Sequence, residues 1–103
     1  MDRTSTITLI AETFEQDDYG VEHPVITRRD VYCQVDSVTR SEFFEAGRAG
    51  LNPEYRFTMF AGDYHGEAVC EYYGKRYAIY RTYFARNDNI ELYVQREGGT
   101  NGK

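Results

Sequence analysis

Glu67-Ala68-Val69-Cys70-Glu71-Tyr72-Tyr73-Gly74-Lys75-Arg76-Tyr77-Ala78-Ile79-Tyr80-Arg81-Thr82-Tyr83-Phe84-Ala85 is the stretch that decides the fold. Two runs rich in aromatic and β-branched residues flank Gly74-Lys75, a two-residue connection with glycine first, as a type II′ hairpin prefers. A loop of that length pairs Tyr73 with Arg76, Tyr72 with Tyr77 and Cys70 with Ile79. One face then carries Cys70, Tyr72, Tyr77, Ile79 and Tyr83, while Glu71 and Arg76 face the other way. Arg81 falls on the apolar face, which places it near an open end.

The same period of two extends outward from this hairpin. Downstream, Arg86-Asn87-Asp88-Asn89 turns the chain into residues 90–96, where Ile90, Leu92 and Val94 point inward and complete a three-strand meander. Upstream, Tyr55, Phe57, Met59 and Ala61 alternate with Glu54, Arg56 and Thr58, and residues 61–66 form a loop. Residues 6–14, rich in Thr, Ile and Leu, read as a first strand. Gln16-Asp17-Asp18-Tyr19-Gly20 is a turn cluster and His23-Pro24 a second break. From Val25 the apolar positions Val25, Val31, Cys33 and Val35 alternate with polar ones, which predicts a long, half-buried strand.

One helix signal interrupts the strands. Thr39-Arg40-Ser41-Glu42 matches the capping box, in which hydroxyl and carboxylate each satisfy a free backbone N–H. Phe43, Ala46 and Ala49 or Gly50 recur at helical spacing, Gly50 can end the helix, and Pro53 forbids continuation. Gly47 weakens the segment by about 1 kcal/mol relative to alanine, so packing must hold it. The expected fold is mainly β: a small antiparallel β-barrel or curled sheet of about six strands with one short α-helix over about residues 40–50. Residues 1–97 form a single domain. Gly98-Gly99-Thr100-Asn101-Gly102-Lys103 has no packing residue and is expected to be a flexible C-terminal tail.

A chain of 103 residues supports one core and no more. Ten Tyr and six Phe exclude disorder for most of its length. No apolar run approaches the ~18–20 residues that cross a bilayer. The start lacks a basic stretch followed by an apolar one, so no secretory signal is expected and the chain is expected to remain in the cytoplasm. The net charge is −5, and it is local. Residues 1–36 hold eight acids against three bases, whereas residues 37–103 are neutral. Between residues 5 and 27 there is no base, while Glu12, Glu15, Asp17, Asp18 and Glu22 crowd together. Such a surface repels a phosphate backbone, which argues against a dedicated duplex-DNA binder.

Catalytic signatures are missing from the sequence: it has no P-loop, dinucleotide fingerprint, zincin motif or nucleophile elbow. Cys33 and Cys70 each lie inside a strand-like run and read as buried small hydrophobes. His23 and His65 read as surface loop histidines without ligand spacing. Asp17-Asp18 falls in a glycine-bearing turn and reads as solvated. The chain is therefore expected not to be an enzyme, with no metal and no cofactor. An OB-like barrel stacking single-stranded nucleic acid on its tyrosines is the alternative reading. Against it, Tyr72, Tyr77 and Tyr83 are expected inward and the charge is wrong. Tyr32, Tyr73, Tyr80 and Tyr93, expected outward, are with Arg76 the candidate protein-interface residues, since Tyr and Arg are enriched where proteins meet.

Residues 6–11, then Val35-Asp36-Ser37-Val38-Thr39-Arg40-Ser41-Glu42-Phe43-Phe44-Glu45-Ala46-Gly47, then Pro53-Glu54-Tyr55-Arg56-Phe57-Thr58-Met59-Phe60 resemble the head-closure (head–tail connector, stopper) proteins of tailed bacteriophages and prophages. The hairpin around Gly74-Lys75 and the ending Glu91-Leu92-Tyr93-Val94 also fit that family's closing strands, so the resemblance spans nearly the whole chain. It implies a structural protein of the virion, assembled in the bacterial cytoplasm as a small β-barrel with long loops and one helix. Copies would self-associate into a ring below the portal and adaptor after packaging. That ring would close the DNA channel and offer the tail-completion or tail-tube proteins a docking surface, with no cofactor, no catalysis and no membrane. Packaged DNA would pass without sequence-specific binding. The family has no short functional motif to carry over. Glu12, Glu15, Asp17, Asp18 and Glu22 are the candidate channel-facing acidic loop, since a negative lining avoids phosphate contacts. The turn over residues 16–24 is short for a plug, which leaves residues 61–66 as another place for one.

Overall fold

The computed structural model describes residues 4–97; the expected flexible tail at 98–103 lies outside the described residues. The elements are β1 (Thr4–Gln16), β2 (Glu22–Ser37), α1 (Arg40–Arg48), β3 (Pro53–Phe60), a 3₁₀ turn (Ala61–Asp63), β4 (Val69–Tyr72), β5 (Lys75–Phe84) and β6 (Asn89–Arg96). The six strands close into an antiparallel barrel in the order β1-β2-β3-β6-β5-β4. Closure removes the open edges of a flat sheet.

Alternation fills the barrel. Ile7 and Leu9 of β1, Val31 and Cys33 of β2, Phe57 and Met59 of β3, and Ile90, Leu92 and Val94 of β6 all point inward and are buried with Cys70 and Tyr77. Each strand therefore contributes every second residue, as the pleat requires. One mouth is closed by aromatic rings. Tyr55 meets Tyr72 and Tyr77 edge-on, at centroid separations of 5.4 and 5.6 Å, and lies roughly parallel to Phe57 at 5.8 Å. Cys33 and Cys70 are free and buried, and loss of solvation pushes both thiols up to about 12.

Several local expectations are corrected. The hairpin turns at Tyr73-Gly74 rather than Gly74-Lys75: Tyr72 pairs with Lys75 and Cys70 with Tyr77. Both loop residues have positive φ, 51° and 75°. That is the type I′ pattern, whose twist matches that of the flanking strands. The slip is two residues, so the inward set keeps its face and Cys70 and Tyr77 enter the core together. A register shift between Ile79 and Arg81 then inserts Tyr80 as an extra residue. Alternation reverses there, so Arg81 and Tyr83 leave the apolar face and Thr82 pairs with Leu92. His23-Pro24 does not break β2, which runs through it opposite Phe14 and Glu15.

The helix starts as expected, with the Glu42 N–H donating to Thr39 Oγ1 at 3.1 Å. The second half of the capping box is not made, because the Glu42 carboxylate turns to β5 instead. There it accepts from Tyr80 Oη at 2.7 Å and pairs with Arg81. The helix is held through other positions, the buried Ala46 and Glu42 with its partners on β5, while a Cβ at Gly47 would meet nothing within 4 Å.

The barrel does not account for the whole shape. The radius of gyration is 15.3 Å and the long axis 51 Å, against about 13 Å expected for a compact chain of this size. The β1–β2 hairpin supplies the excess. β1 meets β4 only at Thr8, Leu9 and Ile10, and β2 meets β3 only over residues 34–37. Beyond that contact the two strands continue as a two-stranded arm, and six more residues of β1 carry it about 20 Å outward.

Candidate functional site

The arm is where the sequence-predicted acidic residues meet. Glu12, Glu15, Asp17, Asp18 and Glu22 are all exposed on it. The expected acidic loop is not what they form: Glu12 and Glu15 lie in β1 and Glu22 in β2, with only Asp17 and Asp18 in the turn. Pairing puts Glu12, Phe14, Pro24 and Ile26 on one face and Glu15, His23 and Val25 on the other.

Asp17 builds the tip. Its carboxylate accepts the N–H groups of Tyr19 and Val21 at 2.9 and 3.0 Å and lies 2.7 Å from His23 Nε2. These bonds, that to His23 foremost, hold it below its ordinary value. A carboxylate so occupied is turn architecture, and the described residues contain no cluster of three metal-ligating side chains.

At the arm's root, β2 is tied to the loop before β4. Arg29 donates to Asp63 O at 2.8 Å and to Glu67 Oε2 at 2.7 Å, and the Glu67 side chain is only 5% exposed. His65 N donates to Glu67 Oε1 at 2.9 Å, and Tyr64 Oη donates to Glu67 O at 2.6 Å. Burial raises the Glu67 carboxyl, but the bonds from Arg29 and His65 outweigh it and hold it below the usual range. Residues 61–66, the other candidate plug, are thus anchored against the barrel while the arm projects.

The candidate interface residues separate. Tyr32 and Tyr73 are exposed, at 75% and 84%. Arg76 is at the surface with its Nε 2.6 Å from Glu97. Tyr80 is half-buried against the helix, and burial, with the bond to Glu42, raises its hydroxyl. Tyr93 is a correction: it is 8% exposed, lies beneath the Arg81 guanidinium at 4.2 Å from ring centre to Cζ, and donates from its hydroxyl to Glu91 at 2.7 Å. The bulge at Tyr80 is the reason, since it swings Arg81 outward over the ring.

Sequence reasoning missed the apolar part of the arm. Phe14, Tyr19, Val21 and Ile26 are all more than half exposed there. The signal was present in the spacing of Phe14, Pro24 and Ile26, but it shows only once 14 is paired with 24 and 12 with 26. Phe60 and Phe84 are exposed as well, at the ends of β3 and β5 nearest the arm. The barrel interior, by contrast, is packed with side chains. A groove of about 410 Å³ lies outside it, bordered by Ile10, Glu12, Ile26 and Val69. The chain matches no protein-family model and no curated protein.

Proposed function

We propose that this protein is a structural component of a phage head–tail connector, a stopper-type ring subunit docking below the portal and adaptor. In that role it closes the DNA channel and offers the tail a surface. The observation that carries the reading is the pairing of a filled, rigid barrel with an exposed acidic arm reaching about 20 Å from it. A filled barrel is a building block. An arm that carries Glu12, Glu15, Asp17, Asp18 and Glu22 can stand beside packaged DNA without adhering to it, because it offers no cations to displace the counterions of the phosphates. Exposed Tyr32 and Tyr73 suit contact between neighbouring subunits. The single-stranded nucleic-acid reading is weaker. Tyr72 and Tyr77 are committed to the aromatic mouth, and the longest projection carries the wrong charge for a nucleic-acid groove.

The test is deletion of the gene from an inducible prophage, with electron microscopy of the lysate. The expected particles are packaged or leaking heads beside detached tails, and restoring the gene rejoins them. Intact infectious particles from the deletion strain overturn the proposal. Tight, salt-sensitive binding of single-stranded DNA by the purified protein would replace it with the nucleic-acid reading.

A further inference from the structure

The arm has two long backbone edges, and they are not equivalent. Asp17 N donates to Val21 O at 3.0 Å, so Asp17 and Val21 are a hydrogen-bonded pair. The antiparallel register runs from there without a bulge. Alternation then makes 15/23, 13/25 and 11/27 the bonded pairs, while 16/22, 14/24 and 12/26 turn their N–H and C=O groups away from each other. On β2 the outward set includes Pro24, which has no N–H to offer, a common way of blunting an edge. On β1 the outward set is Glu12, Phe14 and Gln16, each with its donor intact. The same outward parity at Thr8 and Ile10 faces β4, where Thr8 pairs with Glu71 and Ile10 with Val69. β4 begins at Val69, and the 410 Å³ groove opens at that point between Ile10, Glu12 and residues 66–69.

We infer that the β1 edge of the arm, over residues 12–16, is a strand-addition site that takes up an extended segment of another protein in which basic and apolar residues alternate. Such a segment would continue the sheet where β4 stops, its backbone bonding to Glu12, Phe14 and Gln16. Charge selects its chemistry. Five acids surround the edge, and the bases at the root, Arg28 and Arg29, are already paired with Glu71 and Glu67. Phe14 and Ile26 supply apolar contacts on one face of the added strand. A second copy pairing arm to arm would bring two sets of five acids together and is disfavoured by repulsion. The inference does not depend on the connector role, because it rests only on the edge and its charge.

The probe is an alternating lysine–valine heptapeptide, with an alternating glutamate–valine peptide as control, added to the full chain in hydrogen-exchange NMR. The expected result is about tenfold slower exchange of the Glu12, Phe14 and Gln16 amides with the lysine peptide at saturation, and no change with the control. Phe14→Pro and, separately, Gln16→Pro each remove an outward donor and should weaken the binding at least several-fold. Unchanged protection at Val31 and Leu92 verifies that each variant keeps its barrel. Protection on the β2 edge instead, binding indifferent to both proline variants, protection without peptide that grows with protein concentration, or no protection at all would each overturn the inference.

Discussion

The Arg29 guanidinium reaches 2.7 Å from the Glu67 carboxylate, joining the root of the arm to the loop that leads into β4. The carboxylate is buried and the guanidinium about a third exposed, so the two partners respond differently to loss of the other. Arg29 can rehydrate; Glu67 cannot.

Removing Arg29 should therefore cost more than removing Glu67. Arg29→Ala leaves a buried charge supported by backbone N–H groups alone, those of His65 and of Glu67 itself, and is expected to cost about 3 kcal/mol, whereas Glu67→Gln keeps the packing and costs about 1–2 kcal/mol. The folded-state pKa of Glu67 lies below its ordinary value. Its contribution is thus present above the unfolded carboxylate range and lost as pH falls through the folded value. Chemical denaturation from pH 7 to pH 3 should show wild type and Glu67→Gln converging as pH drops below about 4. A constant gap across that range would show that the ion pair contributes nothing through its charge.

The β4–β5 turn carries a residue poorly suited to its conformation. Tyr73 sits at φ 51° with its ring largely in solvent, a region that costs non-glycine residues roughly 1–2 kcal/mol and that Asn tolerates best. Tyr73→Asn gives Asn-Gly, the favoured type I′ pair, and is expected to stabilise by about 0.5–1 kcal/mol, raising Tm by roughly 3–6 °C. The ring of Tyr73 packs on Tyr72 at 4.5 Å, so an unchanged or lowered Tm would mean that this contact outweighs the backbone strain. Tyr73 is also a candidate contact residue, and strain retained at an exposed aromatic fits selection for the side chain over the turn.

In α1, Gly47 lies in open space within the helix. Gly47→Ala should stabilise by about 1 kcal/mol through propensity alone, with no steric cost to subtract. Thermal denaturation followed by circular dichroism checks it. A loss of stability would require a contact at that face which the isolated chain does not make.

The barrel was largely legible because its signal is local. Period-two alternation around Phe57, Leu92 and Val94 needs no knowledge of partners, and Thr39 announces the helix start by its own chemistry. What escaped was non-local or geometric. The Tyr80 bulge leaves no mark in the alternation before it, so the sequence puts Arg81 and Tyr83 on the apolar face and gives no sign that Arg81 covers the outward-facing Tyr93. The Gly74 turn admits two registers of the same facial parity, so the sequence pairs Cys70 with Ile79 where the structure pairs it with Tyr77. The arm does not show in the sequence, because Gln16-Asp17-Asp18-Tyr19-Gly20 reads as a turn and His23-Pro24 resembles a second break. At an edge position whose N–H points outward, however, proline costs the ladder nothing. The acidic residues themselves were found, since charge spacing along Glu12 to Glu22 is visible without a fold.

Arg81 is the residue on which the outer face depends. It is paired with Glu42, whose side chain is only 11% exposed, and it covers the ring of Tyr93, thereby fastening α1 to the outside of β5 and β6. Arg81→Ala removes the ion pair and the ring contact together and leaves Glu42 with Tyr80 Oη as its remaining side-chain donor. The expected cost is about 2–3 kcal/mol. Arg81→Lys preserves the charge but not the planar stacking, and should recover only part of that loss. A double-mutant cycle with Glu42→Gln separates the contributions, and a coupling of about 0.5–1 kcal/mol is expected, since the Glu42 carboxylate is shielded but the Arg81 side chain is 46% exposed. If the cycle gives no coupling while Arg81→Ala still destabilises, the role of Arg81 is to cover Tyr93, and the helix is held by Tyr80 and the burial of Ala46 alone.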